Sequence, residues 1–111
     1  MEKSKALAAL SALANEVRLD LIRRLIARGD QGLCAGRIAH ELGVSASRLS
    51  FHLSALEQAG LVTARRESRH VFYAVDPDGM GGLISYLLND CCKADPKVSA
   101  CCAGLVTARE P

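Results

Sequence analysis

The sequence predicts a mainly α-helical domain with one small β-hairpin, and three observations carry that expectation. Half of the residues are hydrophobic, yet the chain holds only two Phe, two Tyr and no Trp. Ala and Leu dominate, a composition that favours helices packed on helices over a sheet-based fold. Between Ile38 and Tyr73 the apolar period then switches from helical spacing to strict alternation, with glycines at 43 and 60 as punctuation.

Length and charge narrow the class. A chain of 111 residues is one domain, able to form a core but small enough to gain from pairing with a second copy. The formal charge is only +2, so clustering of basic residues carries more information than their total. No segment approaches the roughly 20 apolar residues needed to cross a bilayer, and Met1 to Lys5 lacks the apolar core of a signal peptide. The expectation is a cytoplasmic protein. In a reducing compartment its five cysteines read as metal ligands or reactive thiols, and the odd number argues against a closed disulfide framework.

From Ser4 to Leu13 the first helix places Ala6, Leu7, Leu10 and Leu13 on one face, more apolar surface than one end of a small domain can cover. Asn15 is suited to cap the next helix. There Val17, Leu21, Ile22, Leu25 and Ile26 form the inner face, and Arg18, Asp20, Arg23, Arg24 and Arg28 stay in water. The run Gly29-Asp30-Gln31-Gly32 ends that helix, and Leu33 to Gly36 starts the next, which carries Ile38, Ala39 and Leu42. Gly43 can supply the left-handed residue that lets the chain leave it.

Ser45 caps a further helix in which Leu49, Leu53 and Leu56 build one stripe, leaving Ser47, Arg48, Ser50, Phe51, His52 and Ser54 on the other faces. Such a surface suits base edges and phosphates in a major groove. After Gly60, Leu61 to Arg66 alternates as a strand, and His70 to Val75 returns. Arg65, Arg66 and Arg69 sit at the tip of this two-stranded ribbon, where they can meet phosphates. A helix pair followed by a basic hairpin points to double-stranded DNA as partner.

Asp76-Pro77-Asp78-Gly79 is a turn with Pro77 in the first turn of a final helix, about Asp78 to Cys92. Its stripe of Met80, Leu83, Ile84, Leu87, Leu88 and Cys91 has little core left to receive it, so with the first helix it is assigned to a dimer interface. Cys92 lies one step round. Residues 1–92 then form the DNA-binding and dimerisation unit, and 93–111 a cysteine-containing tail broken near Pro96 and loosely ordered beyond Cys102.

The segments LGVSASRLSFHLSALEQAGLV and RRESRHVFY, together with Ala12 to Leu19, resemble the ArsR/SmtB family of metal- and metalloid-responsive bacterial repressors. The resemblance covers nearly the whole chain up to about Asn89. It implies a dimeric winged helix-turn-helix protein that binds operator DNA and releases it when an inducer binds. In several arsenic-responsive relatives the first helix of the DNA-binding pair opens with Cys-x-Cys; here the positions are Cys34 and Gly36, and one thiol cannot make that site. The helix dipole could still make Cys34 reactive, beside the plainer reading of a small, partly buried residue.

Two vicinal pairs, Cys91-Cys92 and Cys101-Cys102, are hard to explain as packing. Soft thiolates select soft or borderline acceptors. Structural zinc sites space their cysteines by two to four residues, which adjacent cysteines do not match. Trivalent arsenic or antimony takes three sulfurs in a pyramid, which one vicinal pair and one folded-back thiol could supply. The resemblance implies the same, since some members carry their arsenic thiols near the C-terminus. The histidine and carboxylate ligands of the zinc-sensing branch are absent, because His40, His52 and His70 all precede the last helix. Arsenite or antimonite is therefore the expected inducer, with no permanent cofactor. A methylated arsenical, cadmium, lead or zinc, a disulfide redox sensor, and a metallochaperone or thiol redox protein stand as alternatives. No base accompanies the thiols and no catalytic constellation appears, so an enzyme is not expected.

Overall fold

The computed structural model describes residues 1–108, with side chains described to residue 102. The expected helices form: α1 (Lys3–Leu13), α2 (Glu16–Arg28), α3 (Ala35–Leu42), α4 (Ala46–Gln58) and α5 (Pro77–Ser85). Asn15 caps α2, accepting from the Arg18 N–H at 3.2 Å, and Ser45 caps α4 in the same way through the Arg48 N–H at 3.2 Å. Gly43 takes the left-handed conformation at φ 67°, which an L side chain would resist, and so turns α3 into α4.

The ribbon gains a third strand. β1 (Leu33–Cys34) pairs antiparallel with β3 (His70–Val75), and β3 pairs with β2 (Val62–Glu67), giving the order β1-β3-β2. Leu33 faces Tyr73 and Cys34 faces Phe72 across the first ladder. Two residues are too short to show a period, so β1 is invisible as a pattern and exists because β3 offers it a ladder. In β2 only Val62 is buried. The outer hairpin therefore depends on its ladder and on tethers rather than on apolar burial.

The core is the one the helical stripes predict. Leu21, Leu25, Ile38, Leu49, Leu53, Leu56 and Leu61 are each almost wholly buried, worth about 1.5–3 kcal/mol apiece. Three faces depart from expectation. α1 turns Ala6, Ala9 and Ala12 inward and leaves Leu7 and Leu10 exposed, because small side chains let it approach α2 and α4 closely. Ile26 is exposed rather than part of the inner face of α2. On α5, Leu83 is buried in this chain's own core, whereas the whole stripe was expected at an interface between copies; Ile84 of that stripe stays exposed. Close approach also fixes Gly79: a Cβ there would lie 1.8 Å from the Gly60 carbonyl oxygen.

Past Ser85 the chain does not continue as a plain α-helix. Tyr86–Cys91 forms a π-helical turn, closed by the Cys92 N–H on the Leu87 carbonyl at 3.0 Å. This five-residue spacing moves the stripe by one position, so Cys92 is half-buried and Cys91 exposed, the reverse of the helical extrapolation. Lys93 and Ala94 then adopt positive φ of 52° and 55°. Pro96 does not break a helix but opens one, α6 (Pro96–Ala108), whose first turn the Asp95 carboxylate caps through the Lys97 and Val98 N–H groups at 2.9 and 3.1 Å. The tail is thus helical from Pro96 to Ala108, and residues 109–111 lie outside the described residues.

Candidate nucleic-acid interface and cysteine pairs

The outward surface of α4 begins at its N-terminus. Ser47, Arg48, Ser50 and Phe51 are exposed, Phe51 keeping 66% of its surface. Ser47, Arg48, Phe51 and His52 line an open hollow of about 370 Å³. His52 does not stand on the outer face as expected. It is 7% exposed, packed beside the leucine stripe, and only an edge reaches the hollow.

The partner that permits this burial is Arg18, expected in water and found half-buried. Its Nε donates to His52 Nδ1 at 3.1 Å and its Nη1 to the Ala12 carbonyl at 3.3 Å. The guanidinium lies 5.6 Å from the Phe51 ring centroid. Burial, then the Arg18 and Arg48 charges, hold the His52 pKa below its ordinary value. One signal could have flagged Arg18: it stands in the first turn of α2, where the helix dipole disfavours a cation, so its place there needs another cause.

The wing divides its arginines. Arg65, expected to meet phosphate, is engaged within the chain: its Nε pairs with Glu67 Oε2 at 2.6 Å, and its terminal nitrogens donate to the Asp30 and Gln31 carbonyls at 3.2 and 3.3 Å. Its guanidinium also lies 5.2 Å from the Phe72 ring centroid. Arg65 thereby ties the hairpin to the turn after α2. Arg66 and Arg69 are exposed and make no ion pair or side-chain hydrogen bond among the described residues. Between them Ser68 takes φ 59° at the tip.

All five cysteines are free thiols. Cys34 sits at the N-cap of α3, half-buried, and makes no capping bond. Cys91 and Cys92 end the π-helical turn, while Cys101 and Cys102 are exposed on α6. Burial, the adjoining Cys91 thiol and the Asp95 carboxylate push the Cys92 thiol pKa up. Among the described residues no three His, Cys, Asp or Glu side chains come together as a metal-binding group, so the fold of one chain does not gather the two pairs into a three-sulfur site. No helix among the described residues is long and apolar enough to cross a membrane.

Residues 13–65 match the family model of a helix-turn-helix domain. The transcriptional activator HlyU of Vibrio cholerae is 37% identical over 97 residues, 86% of this chain and 87% of its own. Its reduced form, as solved, superposes with a TM-score of 0.61 at 35% identity, covering 78% of this chain and 87% of that one. The arsenical resistance operon repressor of Bacillus subtilis is 32% identical over 81 residues, 73% of each chain. A possible ArsR-family regulator of Mycobacterium bovis, solved by NMR as a homodimeric winged helix-turn-helix DNA-binding domain, is 30% identical with a TM-score of 0.64 over 73% of each chain. Likeness of this extent to regulators of DNA, on a fold whose α3-α4 pair and basic hairpin already suit a duplex, shows that the chain belongs to the ArsR/SmtB family of winged helix-turn-helix transcriptional regulators.

Proposed function

We propose that this regulator is a repressor that binds operator DNA as a homodimer and is released when trivalent arsenic or antimony is captured by thiolates of Cys91, Cys92 and one of Cys101 and Cys102. The observation that carries the reading is the placement of both vicinal pairs, accessible and unbridged, on the segments that follow α5. A pair at the end of α5 can report to an interface formed by α5 and α1, whose exposed Leu7, Leu10 and Ile84 suit a second copy. The named role of the Bacillus subtilis relative in arsenical resistance supports the choice of metalloid.

The three-sulfur site must then be assembled on binding, either by α6 folding back on the π-helical turn or by a thiol of the second subunit. Cys101 lies within α6, and the stretch from Cys92 to Pro96 extends by at most roughly 14 Å, so either route swings α6 as a unit on that short segment. Assembly couples to DNA because the two α4 helices must fall about one duplex turn apart, roughly 34–36 Å. A ligand that biases subunit geometry therefore weakens operator binding, and linkage makes the weakening mutual. On the DNA side Ser47, Arg48, Ser50 and Phe51 meet base edges, and Arg66 and Arg69 meet phosphates.

A second reading is a thiol redox sensor, favoured by the likeness to HlyU, a protein solved in a reduced form. Peroxide would oxidise two thiols to one disulfide with formation of two waters. The deciding experiment is operator-binding titration with arsenite, antimonite, zinc, cadmium and peroxide in turn. Release by arsenite and antimonite at stoichiometric concentration supports the proposal. Release by peroxide alone, reversed by a thiol reductant, replaces it with the redox sensor.

A further inference from the structure

Three elements meet at one guanidinium. Arg18 of α2 donates to the Ala12 carbonyl at the end of α1 and to His52 Nδ1 on α4, and it lies against the Phe51 ring. The Phe51 and His52 rings themselves stand edge to face, with centroids 5.6 Å apart. An N–H aimed at Nδ1 requires a lone pair on that nitrogen, so the neutral imidazole carries its proton on Nε2. No buried side-chain nitrogen or oxygen among the described residues lacks a partner. Nε2 has no hydrogen-bond partner among them, so it reaches the surface, and the ring helps line the hollow with Ser47, Arg48 and Phe51.

We propose that Arg18 is a positioning residue for DNA recognition: it locks His52 in the Nε2–H tautomer and holds Phe51 beside it, so that the hollow on α4 offers a fixed neutral donor to a DNA phosphate oxygen. The proposal rests on the reading of α4 as the DNA-binding helix. The lock follows from donor geometry. A protonated ring would turn an Nδ1–H against the Nε–H of Arg18, replacing a hydrogen bond by repulsion. The charges that face His52 are Arg18 from α2 and Arg48 from its own helix, both cationic, while α1 brings to the contact only the Ala12 carbonyl. Both cations oppose protonation, so the donor keeps its one state to lower pH than a free histidine would. The Ala12 bond fixes Arg18 itself, and through it the reading face is referred to α1.

The test uses the full-length chain and the duplex it enriches from a randomised library. In ring-nitrogen NMR of the free wild-type protein at about pH 8, His52 shows a protonated Nε2 and a bare Nδ1, and on acidification it keeps that state to lower pH than the same ring in Arg18→Met. In Arg18→Met the ring titrates at higher pH and exchanges between tautomers. Operator affinity of Arg18→Met falls roughly tenfold at pH 8, as expected for losing one oriented hydrogen bond, and its pH dependence sets in at higher pH than in wild type. Arg18→Lys, with a single donor nitrogen and no planar face, recovers part of the loss. On a His52→Ala background Arg18→Met adds at most about twofold, the non-additivity of residues acting as one unit. A proton on Nδ1 in the wild-type protein overturns the proposal even if Arg18→Met fails to fold. So does an Arg18→Met protein with wild-type affinity and pH profile, or a loss that simply adds to that of His52→Ala. A chain that enriches no duplex overturns the DNA-binding reading and the functional half of this proposal, while the NMR result on free protein still decides whether Arg18 locks His52.

Discussion

The side chains proposed to read DNA differ from those that would hold them in place. The Arg48 side chain is exposed on the first turn of α4, and only its backbone N–H is engaged, by Ser45. Arg48→Ala should therefore leave the fold intact and weaken specific operator binding by about 1–3 kcal/mol if the guanidinium grips a guanine, measured by fluorescence anisotropy at fixed salt. His52 instead links to stability. Its folded pKa lies below the ordinary value of 6.5, so above that value both folded and unfolded states are neutral and stability is full. As pH falls through 6.5 the unfolded chain binds a proton that the folded chain refuses, and stability declines until the depressed folded pKa is reached. Urea melts across this window should show the decline, and His52→Leu should flatten that component.

At the level of elements, the wing and the α4-α5 junction are held by different means. Arg66 and Arg69 have no structural partner among the described residues, so Arg66→Gln and Arg69→Gln should each lower the salt slope of binding by about one unit with sequence preference unchanged. Arg65→Gln should behave differently, because Arg65 anchors the hairpin to the Asp30 and Gln31 carbonyls. Its measurable result is faster amide exchange in β2 and β3. At the junction, Gly79→Ala forces a methyl into the Gly60 carbonyl, 1.8 Å from where the Cβ would lie. Since both sides are backbone, relief requires moving α5, and overpacking of about 1–3 kcal/mol is expected as a lower thermal midpoint.

For the whole molecule the prediction concerns coupling. The proposed inducer site needs thiols that one chain holds apart, so its formation must change how α5, α6 or two subunits sit. A coupling of about 1–3 kcal/mol would lower operator affinity about 5- to 150-fold, enough for release. The Cys91→Ser, Cys92→Ser double variant should bind operator as wild type does yet resist arsenite. Cys34→Ser, altered on a different element, should still respond. Arsenic absorption spectroscopy of the bound protein should find three sulfur ligands, and release of the double variant by arsenite would sink the assignment.

Local chemistry made much of this molecule legible in advance. The Asn15 and Ser45 caps, the left-handed Gly43, the leucine stripe of α4 and the alternation of the hairpin depend on residues within one turn or one strand. Asp76-Pro77 was readable as a helix start for the same reason, and Asp95-Pro96 repeats that signature, although its proline reads more readily as a breaker. What the sequence left open was decided across distance. Strand β1 exists through its ladder to β3, and α1 presents alanine inward because α2 and α4 come close enough to exclude leucine. The π-helical turn exchanges the burial of Cys91 and Cys92. Arg18 and Arg65 looked solvated on their own elements, but each found acceptors about 35 residues away along the chain. Periodicity reports which face of an element is apolar, whereas a long polar side chain takes its role from whichever carbonyl or ring the folded chain brings within hydrogen-bonding reach.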